Sequence, residues 1–176
     1  MDTVFLTWYA KSDASHAVIL KSSSKEGPFD LMLDLQLAPI ELRGGGFKNR
    51  KAVRVKGVDG HELIKEQFAN QGYAQTLYKV VAQALEVLVV SDEEQYDPGK
   101  GLWRSLAADS DKGSARVVVY DFGKQAILKF CEQQGFQYEA GYPVEYDGDN
   151  IPDDEIWGYD KAETRLVADM RTMDKS

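Results

Sequence analysis

Apolar residues at every second position mark the clearest element in the chain. Phe29, Leu31, Leu33, Leu35 and Leu37 alternate with Asp30, Asp34 and Gln36, and a period of two belongs to a strand with one buried face, whatever the helical preference of leucine. Two earlier stretches also suit strands: Thr3 to Ala10 is rich in β-branched and aromatic residues, and Ala17 to Lys21 is an apolar run between serine-rich segments. Gly44, Gly45 and Gly46 then permit a tight reversal, and Val53 and Val55 alternate with Arg54 and Lys56 on a return strand ending near Val58. This part of the chain reads as an antiparallel meander.

The period changes beyond Asp59 and Gly60. Ala74, Leu77, Tyr78, Val81, Ala84 and Leu85 recur at spacings of three and four, which places them on one face of a helix starting at about Gly72. Val87 to Val90 is an uninterrupted apolar run, as in a strand covered on both faces, and it stops at Ser91 and Asp92. Strand, helix, strand predicts a right-handed parallel crossover from the Val53 strand to the Val87 strand. Asp97 before Pro98 reads as an N-cap with proline at the first helical position, opening a helix with Leu102, Trp103 and Leu106 inward. Val117 to Val119 predicts a strand. Ile127, Leu128 and Cys131 predict a helix from about Lys124 to Gln134 stopped by Gly135, followed by a strand from Phe136 to Tyr142. An acidic loop over 143–158 is pinned by Ile151, Ile156 and Trp157, and Leu166, Met170 and Met173 predict a C-terminal helix over 160–173.

Length and composition narrow the class. A chain of 176 residues with 43% hydrophobic and 28% charged residues is ordinary for one globular core, and no internal repeat divides it. The expectation is a single mixed α/β domain over 1–176. No run approaches the ~20 apolar residues that cross a bilayer, and Met1, Asp2 and Thr3 lack the basic start of a secretory signal, so a cytoplasmic location is expected. The net charge of −8, concentrated between Asp147 and Glu155, repels a phosphate backbone and argues against nucleic acid as a ligand. Cys131, the single cysteine, forms no internal disulfide and reads as an inert core thiol.

One constellation carries chemistry. A helix start leaves backbone N–H groups without intrahelical partners and adds partial positive charge, so a glycine turn ahead of a helix cradles an anion. Gly72 supplies the close backbone approach, and small Ala74 lets the helix start sit near the preceding strand.

The run Gln71-Gly72-Tyr73-Ala74, then Leu77-Tyr78, then the valine strand ending in Ser91-Asp92, then Leu102-Trp103, resembles the core of the GNAT-like acyltransferase fold, especially its small phage-encoded versions. The resemblance covers roughly residues 51–106. It implies a central mixed, mostly antiparallel sheet with a splayed parallel strand pair and flanking helices. It implies coenzyme A or acetyl-CoA as ligand, with Gly72 and Ala74 at the fixed positions of the pyrophosphate-binding turn and Gln71, Tyr73 and Ala74 as its amide donors. Its pantetheine arm would lie in a slot lined by Val55, Lys56 and Gly57, with Val89 to Ser91 opposite. Ala69 stands where that family's motif opens with Arg or Gln, and the connection from Val58 to Gly72 is longer than usual for it. Acyl transfer to an amine needs a base and an acid: Glu62 or Glu66 is a candidate base, Tyr96 a candidate acid, and His61 a further candidate because it titrates near neutrality. The alternative is a catalytically degenerate, phage-encoded protein that docks on a host enzyme in the host cytoplasm through its acidic, aromatic surface, with Trp157 as an anchor. A third reading is a virion or DNA-mimic component. No oligomeric state follows from the sequence.

Overall fold

The computed structural model describes residues 3–10, 15–22, 30–59, 72–93, 97–108, 115–157 and 163–170. The alternating N-terminal segments form the expected meander: β1 (Thr3–Ala10), β2 (Ser15–Ser22), β3 (Asp30–Ile40) and β4 (Ala52–Asp59) pair antiparallel in sequence order. A helix, α1 (Tyr73–Leu85), leads to β5 (Leu88–Val90), which lies parallel to β4. Then come α2 (Asp97–Ala108), β6 (Arg116–Asp121) and β7 (Ala126–Ile127). The strand β11 (Thr164–Asp169) inserts between β5 and β6, antiparallel to both. The result is an eight-stranded sheet of order β1-β2-β3-β4-β5-β11-β6-β7, in which β4 and β5 are the parallel pair. A second sheet of β8 (Lys129–Cys131), β9 (Gly135–Gln137) and β10 (Tyr142–Pro143) has the order β10-β8-β9.

The sheet has two different faces. On one, α1 buries Leu77, Tyr78, Val81 and Ala82 against Leu35, Leu37, Val55, Val89, Leu166 and Ala168, and α2 adds Trp103 and Leu106. Tyr78 and Trp103 meet edge to face with ring centroids 5.8 Å apart, a preferred aromatic geometry. On the other face, Ala52, Leu88, Val90, Val118, Tyr120 and Val167 pack under Leu42 and Phe47 from the segment after β3. Because both faces are covered, Leu88, Val89 and Val90 are each fully buried, as an unbroken apolar run requires.

Four expectations are corrected. The segment expected to be helical from Lys124 to Gln134 is instead β7, a turn and β8, and Gly135 does not stop a helix. At φ 73° it closes the β8–β9 hairpin, with the Gln134 N–H donating to the Cys131 carbonyl at 3.1 Å. Cys131 is accordingly half-buried on a strand, its Sγ donating to Gln133 Oε1. The expected C-terminal helix is β11, since a spacing of four, as between Leu166 and Met170, satisfies a strand as well as a helix. Leu166, Ala168 and Met170 all face the helices; Met173 lies outside the described residues. Of the expected strand from Phe136 to Tyr142, only Gly135–Gln137 is one, and Tyr142 begins β10. On α1, Ala84 is exposed and Ala82 takes the inward place.

The acidic segment is built around buried anchors. Ile151 and Ile156 enter the core and Trp157 packs against it. Asp147 Oδ1 accepts the N–H groups of Asp149 and Asn150, and α3 (Asp153–Trp157) is tied to α2 by an Arg104–Asp153 ion pair. Among the described residues no helix is long and apolar enough to cross a membrane.

Candidate functional site

The parallel pair β4–β5 is hydrogen-bonded over only three rungs: Ala52 with Leu88, Val53 with Val89 and Arg54 with Val90. Beyond them β4 continues from Val55 to Asp59 along β3, whereas the chain after Val90 follows β11. The Ser91 N–H donates to the Leu166 carbonyl at 2.9 Å, and Ser91 Oγ accepts the Leu166 N–H at 3.0 Å. Both polar groups of a fully buried serine are thus given to β11. The two strands part at Arg54 and Val90, and among the described residues no strand lies beside Val55, Lys56 and Gly57 on the β5 side.

β4 is irregular at the same place. Leu37 pairs with Val55 and its neighbour Gln36 with Gly57, so Lys56 is an extra residue on β4, and the strand bends where its ladder with β5 ends. Val55 keeps its side chain in the core, Lys56 is exposed, and what the three residues present to the gap is backbone.

The start of α1 lies at this end of the ladder. α1 ends at Leu85, its C-cap Glu86 leads into β5, and the Leu88 N–H donates to the Lys51 carbonyl at 2.9 Å, so the C-terminus of α1 sits where the β4–β5 ladder begins. A helix of 13 residues spans about 20 Å, which carries its N-terminus to the end at which the strands part. Gly72 is the N-cap in the left-handed conformation, φ 72° and ψ 11°, with no side-chain cap hydrogen bond, and the first turn contains no acidic residue. Among the described residues, a Cβ on Gly72 meets nothing closer than Gln75 Oε1 at 3.9 Å. Tyr73 and Ala74 are half-buried behind it.

Sequence reasoning placed Gly72, Tyr73, Ala74, Val55, Lys56, Gly57 and Ser91 in one site. Gly72, Tyr73 and Ala74 open α1, Val55, Lys56 and Gly57 follow the last β4–β5 rung on β4, and Ser91 follows β5, bonded to β11. Gln71, His61, Glu62, Glu66 and Tyr96 lie outside the described residues.

Other groups stand on the face opposite α1. His16 and Gln36 are register partners, Gln36 pairs with Gly57, and His16 Nδ1 bonds Asp34 Oδ1 at 2.8 Å with the ring 4% exposed. A carboxylate on one ring nitrogen orients the imidazole, as in other histidine–carboxylate pairs. The row from His16 through Gln36 to Gly57 crosses two strand spacings, about 10 Å. At the end of the β4–β5 ladder, Glu93 Oε1 is shared by Arg54 and Arg165. Burial lowers the pKa of Arg165 from its usual value, and the nearby Glu93 charge opposes that shift. None of these was singled out from the sequence. The available signal was a polar residue at each non-core position of otherwise apolar strands, Asp34 and Gln36 on β3 and Arg165 on β11. A cavity of about 230 Å³ lined by Glu41, Arg43, Tyr120, Phe122 and Gln125 lies further along this face, away from the parting of the strands.

Comparison with protein-family models, with curated proteins and with solved structures finds no match to this chain.

Proposed function

We propose that this protein binds coenzyme A or an acyl-CoA and transfers the acyl group to an amine, as its resemblance to the GNAT-like fold implies. The observation that carries the reading is the coincidence of two features at one end of β4. The ladder to β5 stops after three rungs while β4 runs on with no further partner on that side among the described residues, and a helix with a positive-φ glycine N-cap and no side-chain cap starts toward the same end. A pantetheine arm has two amides that pair with a strand edge, and a diphosphate suits a helix start whose dipole favours negative charge. The backbone of Val55, Lys56 and Gly57 would take the arm, and the amides at Gly72, Tyr73 and Ala74 the pyrophosphate.

The thioester supplies an activated acyl carbon: the amine nitrogen bonds to it, the carbon–sulfur bond breaks, and sulfur leaves with the electron pair as a thiolate that is then protonated. The proton lost by the amine needs a base on the face the arm would reach. Among the described residues, His16 held by Asp34 is the group of the right kind there. Glu62, Glu66 and Tyr96 keep the roles the resemblance assigns them, as candidate bases and acid. The alternative of a docking protein draws less support, because Ile151 and Ile156 of the acidic segment are spent on the core and Trp157 packs against it.

Calorimetric titration with acetyl-CoA tests the reading. Saturable binding that Gly72→Val weakens is expected; absence of binding at millimolar acetyl-CoA overturns it.

A further inference from the structure

The face opposite α1 changes character along its length. Where β4 and β5 are paired it is apolar, with Ala52, Leu88, Val90 and Val167 packed together. At the last rung it becomes charged: Arg54 pairs in register with Val90, and Arg165, two residues before Val167 on β11, stands level with the chain just beyond β5. Strand alternation puts both guanidinium groups on this same face. They converge on one oxygen, Glu93 Oε1, which Arg165 Nη2 approaches at 3.6 Å and Arg54 Nη1 more closely.

Burial differs sharply among the three. The Arg165 side chain is 7% exposed, is fixed by its Nη1 donating to the Thr164 carbonyl at 2.7 Å, and lies 6.0 Å over the Phe122 ring. Arg54 is 25% exposed and Glu93 60%. The buried, fixed Arg165 and the half-buried Arg54 are therefore bridged by the most solvent-exposed member of the group. Leaving the buried Arg165 without a carboxylate is costly, so Glu93 yields its place to another carboxylate and not to water alone. A carboxylate arriving from outside meets a preformed pair of guanidinium forks, the geometry that recognises carboxylates. Asp92, whose charge also acts on Arg165, balances the second positive charge and disfavours a dianion such as phosphate.

We infer that Arg54 and Arg165 form the anchoring site for the carboxylate of the acyl acceptor, which takes the place of Glu93 between them. The acceptor class is then an amine that carries a carboxylate, as an amino acid does. This rests on the acyl-transfer reading, since it is the parting of β4 and β5 beside Arg54 that would deliver the thioester to this face.

The test uses the full ¹⁵N-labelled chain loaded with coenzyme A, loading being established first by calorimetry. N-acetylglycine, an acyl group joined to the smallest amino acid, is titrated against N-methylacetamide, which lacks the carboxylate, while the arginine Nε–Hε signals are followed. The expected result is saturable movement of the Arg54 and Arg165 signals with N-acetylglycine alone. Binding should be weaker by ~10-fold or more in Arg54→Gln, the loss expected for one charge-assisted hydrogen bond. It should be tighter in Glu93→Gln, which removes the internal competitor from an exposed position. Silent arginine signals, an equal response to N-methylacetamide, or unchanged binding in both variants overturns the inference. Failure of coenzyme A to bind overturns the acyl-transfer reading along with it, whereas coenzyme A binding with silent arginines overturns this inference alone.

Discussion

Gly72→Val separates the helix start from the rest of the site. Gly72 sits at φ 72° and ψ 11°, a conformation that costs an L-residue about 1–2 kcal/mol and suits a β-branched one worst. Among the described residues the nearest contact of an added Cβ is Gln75 Oε1 at 3.9 Å, so there the cost is one of backbone conformation. The same atoms stand where an anion would approach the amides, and losing one hydrogen bond to a charged group, ~1.5–3 kcal/mol, lowers affinity ~10–100-fold. Acetyl-CoA at 100 times its dissociation constant stabilises the native protein by ~2.7 kcal/mol, and at the same concentration the variant gains only ~0.4–1.4 kcal/mol. At about 2–4 °C per kcal/mol for a domain of this size, a ligand-induced rise in melting temperature of ~5–10 °C falls to ~1–5 °C. Gly72→Asn is the control, because asparagine tolerates the left-handed conformation yet still places a side chain over the amides. Both variants should lose ligand response, while only valine should lower the melting temperature of the ligand-free protein appreciably. A valine variant with the full ligand-induced shift refutes the helix start as the anion cradle.

Ser91→Ala removes the oxygen that accepts the buried Leu166 N–H, and urea denaturation should show a loss of ~1–3 kcal/mol from the orphaned donor. Trp103→Ala deletes a fully buried side chain packed on Tyr78 and should cost ~3–5 kcal/mol by the same measurement. Burial raises Tyr78 well above the ordinary tyrosine value of 10.0 and pushes Tyr138 up to about 12. The folded state therefore holds phenolic protons that the unfolded chain releases, so stability is intact below pH 10 and falls as pH rises beyond it; Tyr78→Phe should flatten that fall in melting temperatures recorded across the alkaline range. His16→Gln should leave acetyl-CoA affinity unchanged and cut the rate of thiol release in the presence of an amine acceptor by ~100-fold or more; an unchanged rate removes His16 from the mechanism.

β3 and α1 were legible because each has a period that only one element satisfies, as the leucine alternation through Leu33, Leu35 and Leu37 does for β3, and β5 was legible as a short unbroken apolar run. The run from Leu166 to Met170 was not, since a spacing of four is common to a helix and to alternate strand positions, and what decides it is pairing with β5 and β6, which are distant in sequence. Gly135 was misread for a related reason: a positive-φ glycine ends a helix and turns a hairpin equally well, and the choice rests on Phe130 meeting Phe136 across the β8–β9 pair. Gly72 was legible as the start of α1 because a glycine turn ahead of a helical period is a local signal. Arg54, Glu93 and Arg165 come from β4, the end of β5 and β11, and only the insertion of β11 beside β5 brings them together.

That insertion also accounts for the parting of the strands. A parallel ladder that merely frayed would leave the groups after Val90 to solvent, yet Ser91 is fully buried with its N–H and hydroxyl both bonded to Leu166. Those bonds continue the pairing with β11 that Val89 and Val90 begin. On the other side, the extra residue at Lys56 bends β4 away while its pairing with β3 continues to Asp59. Beyond the last shared rung each strand thus stays tied to its other neighbour, β4 to β3 as far as Asp59 and the chain after β5 to β11.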